Sequence, residues 1–61
     1  MSTEYIYKVV REDPKTGAQG KHPKRYFTFK PLQVGGLYIL REKGYPGYQR
    51  VLSVETKEMP F

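Results

Sequence analysis

Proline and glycine leave this chain almost nowhere to build a helix. Five prolines and six glycines are spread over 61 residues beside a single alanine, so few intervals of about ten residues or more run free of a breaker. The apolar residues are mostly Val, Ile, Tyr and Phe, which fit a pleated surface better than a helical one. The chain is therefore expected to be all-β.

Period-two alternation locates the strands. Between Thr3 and Asp13, Tyr5, Tyr7 and Val9 alternate with Ile6, Lys8 and Val10. A second strand is expected from Lys24 to Lys30, where Arg25, Phe27 and Phe29 alternate with Tyr26, Thr28 and Lys30. Both phenylalanines fall on one face, and burial tendencies assign that face to the core. Leu37 to Glu42 reads as a third strand, with Leu37 and Ile39 competing against Tyr38 and Leu40 for the interior. Tyr48 to Glu55 reads as a fourth. The tail from Thr56 to Phe61 is expected to turn or fray, because Pro60 opposes a further full strand.

The connections carry their own signals. Residues 13–23 hold Pro14, Gly17, Gly20 and Pro23 and no aliphatic larger than Ala18, which predicts a long polar loop of about eleven residues without structure of its own. Gly35-Gly36 supplies positive φ for the next turn. Gly44 to Gly47 reads as a hairpin loop of about four or five residues, with Pro46-Gly47 in type II positions. Four strands without a helix bury little as a flat sheet, so a single domain over residues 1–61 is expected to curl into a small barrel.

The run Pro31-Leu32-Gln33-Val34-Gly35-Gly36-Leu37-Tyr38-Ile39-Leu40, followed by a Gly/Pro loop and Tyr48-Gln49-Arg50-Val51-Leu52-Ser53-Val54, resembles the stretch of SH3-like barrels in which a Leu-x-Val-Gly-x-x-Tyr turn feeds a hairpin. The resemblance implies an SH3-like barrel of four to five antiparallel strands, with the 13–23 loop in the place of that fold's large first loop. Peptide-binding SH3 domains carry acids in that loop and a tryptophan pair on the hairpin. Here the loop is basic and tryptophan is absent, so recognition of proline-rich peptides is not implied.

Several chemistries lack their residues. Without cysteine there is no disulfide, thiolate zinc site or cysteine nucleophile. His22 stands alone in a Gly/Pro-rich loop and reads as solvated. Glu12 and Asp13 are strand neighbours that point to opposite faces. Gly17-Ala18-Gln19-Gly20-Lys21 lacks the ending of a phosphate loop. No catalytic residue, metal or cofactor is expected. No apolar run approaches a membrane span, and the polar start carries no signal-peptide pattern, which makes the cytoplasm the default location.

Charge is the remaining lead. The net charge is +5, and the excess sits in one segment: from Pro14 to Arg41 there are six basic residues and no acid. Cations interleaved with rings suit a nucleic-acid surface, in which cations meet phosphates and rings meet exposed bases. Lys21, Lys24, Arg25, Lys30 and Arg41, with Tyr26 as the ring, are the candidate nucleic-acid contacts. The same cations also read as a solubilising surface or as a site for an acidic protein. Tyr45 and Tyr48 bracket Pro46-Gly47, where the rings either form an exposed protein-interaction patch or fold over an open barrel end. A thin core, at 38% hydrophobic residues, leaves monomer and homodimer both open.

Overall fold

A computed structural model describes residues 2–60. Met1 and Phe61, the outer bounds of the expected domain and tail, lie outside the described residues. The chain forms four strands, β1 (Ser2–Arg11), β2 (Lys24–Thr28), β3 (Leu37–Ile39) and β4 (Tyr48–Met59). They make one antiparallel sheet in the order β2-β1-β4-β3. The sheet curls into a half-barrel, and its edge strands β2 and β3 do not pair with each other. Among the described residues no helix is long and apolar enough to cross a membrane.

Curvature has an identifiable source. Along β1, Lys8 faces Ser53 while Val9 faces Val51, so Leu52 is an extra residue in β4. Such a bulge sharpens the local twist and bends the strand that carries it. Paired residues share a face, which places Tyr7, Val9, Tyr26 and Val51 together on the inside, where they form the core. Tyr7, Val9 and Val51 are fully buried, and burying side chains of this size contributes roughly 1.5–3 kcal/mol each.

Side chains close the side that strands leave open. The Tyr7 ring lies in the core while its hydroxyl accepts from Leu32 N–H at 2.5 Å and donates to the Lys30 carbonyl at 3.4 Å. The Tyr38 hydroxyl accepts from Gln33 N–H at 2.9 Å. Tyr26 donates to Glu42 Oε1 at 3.2 Å, and Tyr45 stands edge-on to Tyr26 with ring centroids 5.2 Å apart. Burial first, and then the Glu42 carboxylate, holds the Tyr26 hydroxyl above its ordinary pKa. Leu32, Tyr38, Leu40 and Tyr45 complete the inner layer.

Several boundaries differ from the sequence expectation. β4 continues through Met59, so the Thr56–Met59 tail is strand, paired with Ser2 to Tyr5. No breaker interrupts 48–59, and Pro60 stops the strand only at its own position. β3 ends at Ile39, because Arg41 takes a left-handed conformation (φ 57°) and the chain turns to bring Glu42 to Tyr26. The loop to β4 therefore spans 40–47, and the interior takes Tyr38 and Leu40 while Ile39 stays exposed. In the glycine pair, Gly35 supplies the positive φ (87°), whereas Gly36 is needed for clearance. A Cβ there would come within 2.6 Å of the Tyr38 ring.

The 13–23 loop is folded over most of its length. Asp13 Oδ1 accepts from Lys15 N–H at 2.8 Å, its carbonyl accepts from Gly17 N–H at 2.8 Å, and its own N–H donates to Ala18 at 2.9 Å. Gln19 pairs with Glu12, and Gly20 N–H donates to Arg11. Glu12, buried under this return, is ion-paired with Arg50 of β4 and accepts from Gln19 Nε2 at 2.8 Å. Arg50 also donates to the Gly35 carbonyl at 2.7 Å, which ties the first loop to the third strand's entry.

Two outcomes follow from these contacts. Tyr7→Phe leaves Leu32 N–H without its acceptor and is expected to cost about 1–2 kcal/mol in urea denaturation. Hydrogen bonding from Arg50, then from Gln19, holds the Glu12 carboxyl below its ordinary value of 4.5. A carboxyl depressed in the folded state stabilises fully above its unfolded pKa, and that stability is lost as pH falls through the folded one. Denaturation midpoints should therefore fall on acidification from about pH 5 downward. Glu12→Gln should lower the neutral-pH midpoint and flatten this acid limb; an unchanged acid limb would refute the assignment.

Candidate functional site

Alternation along β2 decides which side chains meet water. Tyr26 faces Tyr7 on the inside, so Arg25 and Phe27 must point outward. On that outer face Arg25 stands opposite Lys8 of β1, and Phe27 stands opposite Ile6. Phe27 is 52% exposed and Phe29, just beyond the strand, 56%. This corrects the expectation that both phenylalanines are core. Tyr26 can be buried because its hydroxyl reaches Glu42, which leaves the phenylalanine parity outside.

The cation pair is the unusual feature of this face. Like charges directly opposite each other on neighbouring strands repel. Among the described residues the only ion pair is Glu12 with Arg50, so neither Lys8 nor Arg25 has an acidic partner. Across β4, Ser53 lies opposite Lys8, and the nearest acid in register is Glu55, one row along and opposite Ile6. Ile6, Lys8, Lys24, Arg25, Ser53 and Glu55 line a shallow groove over this part of the sheet.

The other candidates disperse. Lys24 Nζ donates to the Gly44 carbonyl at 2.6 Å and lies 5.7 Å from the Tyr45 ring centroid, so it clips the 40–47 loop onto β2. Tyr26, at 9% exposure, has its ring turned inward and offers no surface for a base. Lys21, Lys30 and Arg41 are exposed, each on a different loop, and His22 is exposed beside Lys21. Tyr45 is part of the fold, its hydroxyl donating to the Arg25 carbonyl. Tyr48 is exposed at 38% and stands opposite Ile39, exposed at 51%.

Of the expected contacts, only Arg25 lies in the cationic groove with a free side chain. Lys8 and Phe27 are its neighbours on that face, with exposed Phe29 just beyond the end of the strand, and the sequence expectation placed none of them in the site. A signal existed in the parity of β2, since Arg25, Phe27 and Phe29 all sit two residues apart. Lys8 carried none, because its neighbour is set by the register between strands.

The geometry yields a stability test. Lys8→Thr removes the repulsion while retaining a good strand residue, and should stabilise the fold by about 0.2–1 kcal/mol at low salt, less at high salt. A destabilised Lys8→Thr variant at low salt would show that the pair is not strained. Compared with known proteins, the chain matches no family model, no curated protein and no solved structure.

Proposed function

We propose that the chain is a non-enzymatic binding module, of SH3-like type, that holds single-stranded nucleic acid against the outer face of β1 and β2. Lys8 and Arg25 meet the phosphates, and Phe27 and Phe29 offer rings to unstacked bases. The observation that carries this reading is the unpaired Lys8/Arg25 couple set beside exposed Phe27 on one sheet face. A fold that needed only solubility would gain from an acid at either position. Stacking on a sheet-borne ring with flanking cations tolerates any base, because every base has a flat π-face. Single strands are favoured over duplex, since these rings need bases that are already unpaired and the described residues hold no helix to enter a major groove.

Lys21 and the loop that carries it extend the positive surface on the approach to β2. Protein interaction through Tyr48 is the second reading, favoured by its exposed neighbour Ile39 across the β3–β4 pair. The two readings use different strands of the sheet, β1 and β2 against β3 and β4. They are separable by where a ligand perturbs the amide resonances.

Fluorescence anisotropy with a short single-stranded oligonucleotide tests the first. Two to three phosphate contacts predict a slope of log K against log salt of about −1.4 to −2.1, and Lys8→Ala or Arg25→Ala should each reduce its magnitude by about 0.7. Phe27→Ala should weaken binding by roughly 5- to 100-fold with the slope unchanged. Binding that ignores salt, or amide shifts confined to the Ile39 and Tyr48 region, would overturn the proposal.

A further inference from the structure

One edge of the sheet is long, unpaired and self-complementary. On its β3 side, β4 is paired only as far as Val51, whose N–H donates to the Gly36 carbonyl and whose carbonyl accepts from Gly35. Beyond it, residues 52–58 are exposed and make no backbone hydrogen bond on that side. Pair types alternate along β1, so Val51 pointing away from β1 implies the same for Val54, Thr56 and Glu58, the partners of Tyr7, Tyr5 and Thr3. Three alternate residues thus present free N–H and C=O groups along the edge.

The ends of this edge are marked. Leu52, the bulge, breaks the ladder at one end and Pro60 at the other, which leaves Ser53 to Met59 as a regular segment with Thr56 at its midpoint. We infer that this segment joins a second copy of the chain, antiparallel and across a two-fold axis at Thr56, to make one continuous sheet through both molecules. The inference is independent of nucleic-acid binding.

Charge selects the second copy and the register. With the axis at Thr56, Glu55 of each molecule faces Lys57 of the other, giving two opposite-charge pairs on the outer face. Moving the axis to Glu55 or to Lys57 sets that residue against its own copy, a like-charge contact. On the outer face, Lys57 already stands opposite Glu4 of its own β1. The continuous row therefore reads Glu4, Lys57, then Glu55 and Ile6 of the second copy, with charges alternating across the seam. On the inner face Thr56 meets its copy, and exposed Val54 meets the aliphatic stem of the second copy's Glu58. Solitary edge strands usually carry charge that repels a like strand. Here the charge pattern attracts one.

Sedimentation analysis from about 10 μM to about 1 mM reads the equilibrium directly. The expected result is a concentration-dependent dimer that Glu55→Lys weakens by about tenfold or more. The double variant E55K/K57E, which reverses both charges and restores every pair across the seam, should recover most of that loss. Thr56→Pro removes an outward N–H that β1 does not use, so it should abolish the dimer while amide dispersion shows the monomer still folded. A single species of monomer mass across the range would overturn the inference. So would a dimer whose dissociation is the same in Glu55→Lys as in the parent chain, because it would use another face.

Discussion

The hydroxyl of Tyr7 holds together a sheet that is too short to hold itself. Its ring is wholly inside, against Val9, Tyr26 and Val51, and its oxygen accepts the Leu32 N–H at the turn that leads from β2 towards β3. A phenylalanine there would fill the same space and leave Leu32 unmoored. The pattern recurs with Tyr38 on Gln33, Tyr26 on Glu42 and Tyr45 on the Arg25 carbonyl. Each ring contributes apolar area, and each hydroxyl satisfies or anchors a polar group at the rim. In a longer chain a fifth strand would close that side. Here four tyrosines do so, which explains why most of the chain's six tyrosines are unavailable for contacts outside it.

This economy has a consequence for what is left exposed. Because closure is made by side chains on the inside, the outer face beyond the 13–20 return and the edge of β4 past Val51 receive no cover. Phe27, Phe29 and Leu52 remain in water, and β4 keeps an open edge past Val51. The Lys8/Arg25 couple is tolerated for the same reason. On a solvated face, screened at ordinary salt, its repulsion costs only tenths of a kcal/mol up to about 1 kcal/mol. Removing either charge would favour the fold and remove the feature that best suits a polyanion.

Strand existence was legible from the period of the apolar residues, and so was the broad layout of turns. Face assignment was not. On β2 the choice lay between Tyr26 inside and the two phenylalanines inside, and hydrophobicity alone favours the phenylalanines. What reverses it is Glu42, sixteen residues away, which gives the Tyr26 hydroxyl a partner that no local pattern reveals. Glu12 and Arg50 are further apart still, yet they lock the first loop to β4. The acid-free segment from Pro14 to Arg41 reads in sequence as one surface, because its residues are adjacent along the chain. In the fold, Lys24 is committed to Gly44, Arg25 faces out, and the cation that joins Arg25 is Lys8, which lies outside that segment. A charge run locates an excess of charge, but the pleat and the register decide where it is displayed.

The open edge and the cationic face are linked by symmetry. An antiparallel joint that continues a sheet requires its two-fold axis perpendicular to that sheet, so both outer faces of the inferred dimer look the same way. The strand order across the joint runs β2, β1, β4, then the same three strands reversed. Five strand spacings separate the two β2 strands, about 24 Å if the sheet were flat. Pairing Glu55 with Lys57 across the seam also takes up the one acid that borders the Lys8/Arg25 groove. Joining two copies thus doubles the cationic sites on one side and partly neutralises the charge that opposes each of them. On the proposed binding, a single strand long enough to reach both sites would gain from the second as an intramolecular contact, at an effective concentration set by that spacing. For a proposed site with only two cations and two rings, such a second contact would be the route from weak to useful affinity.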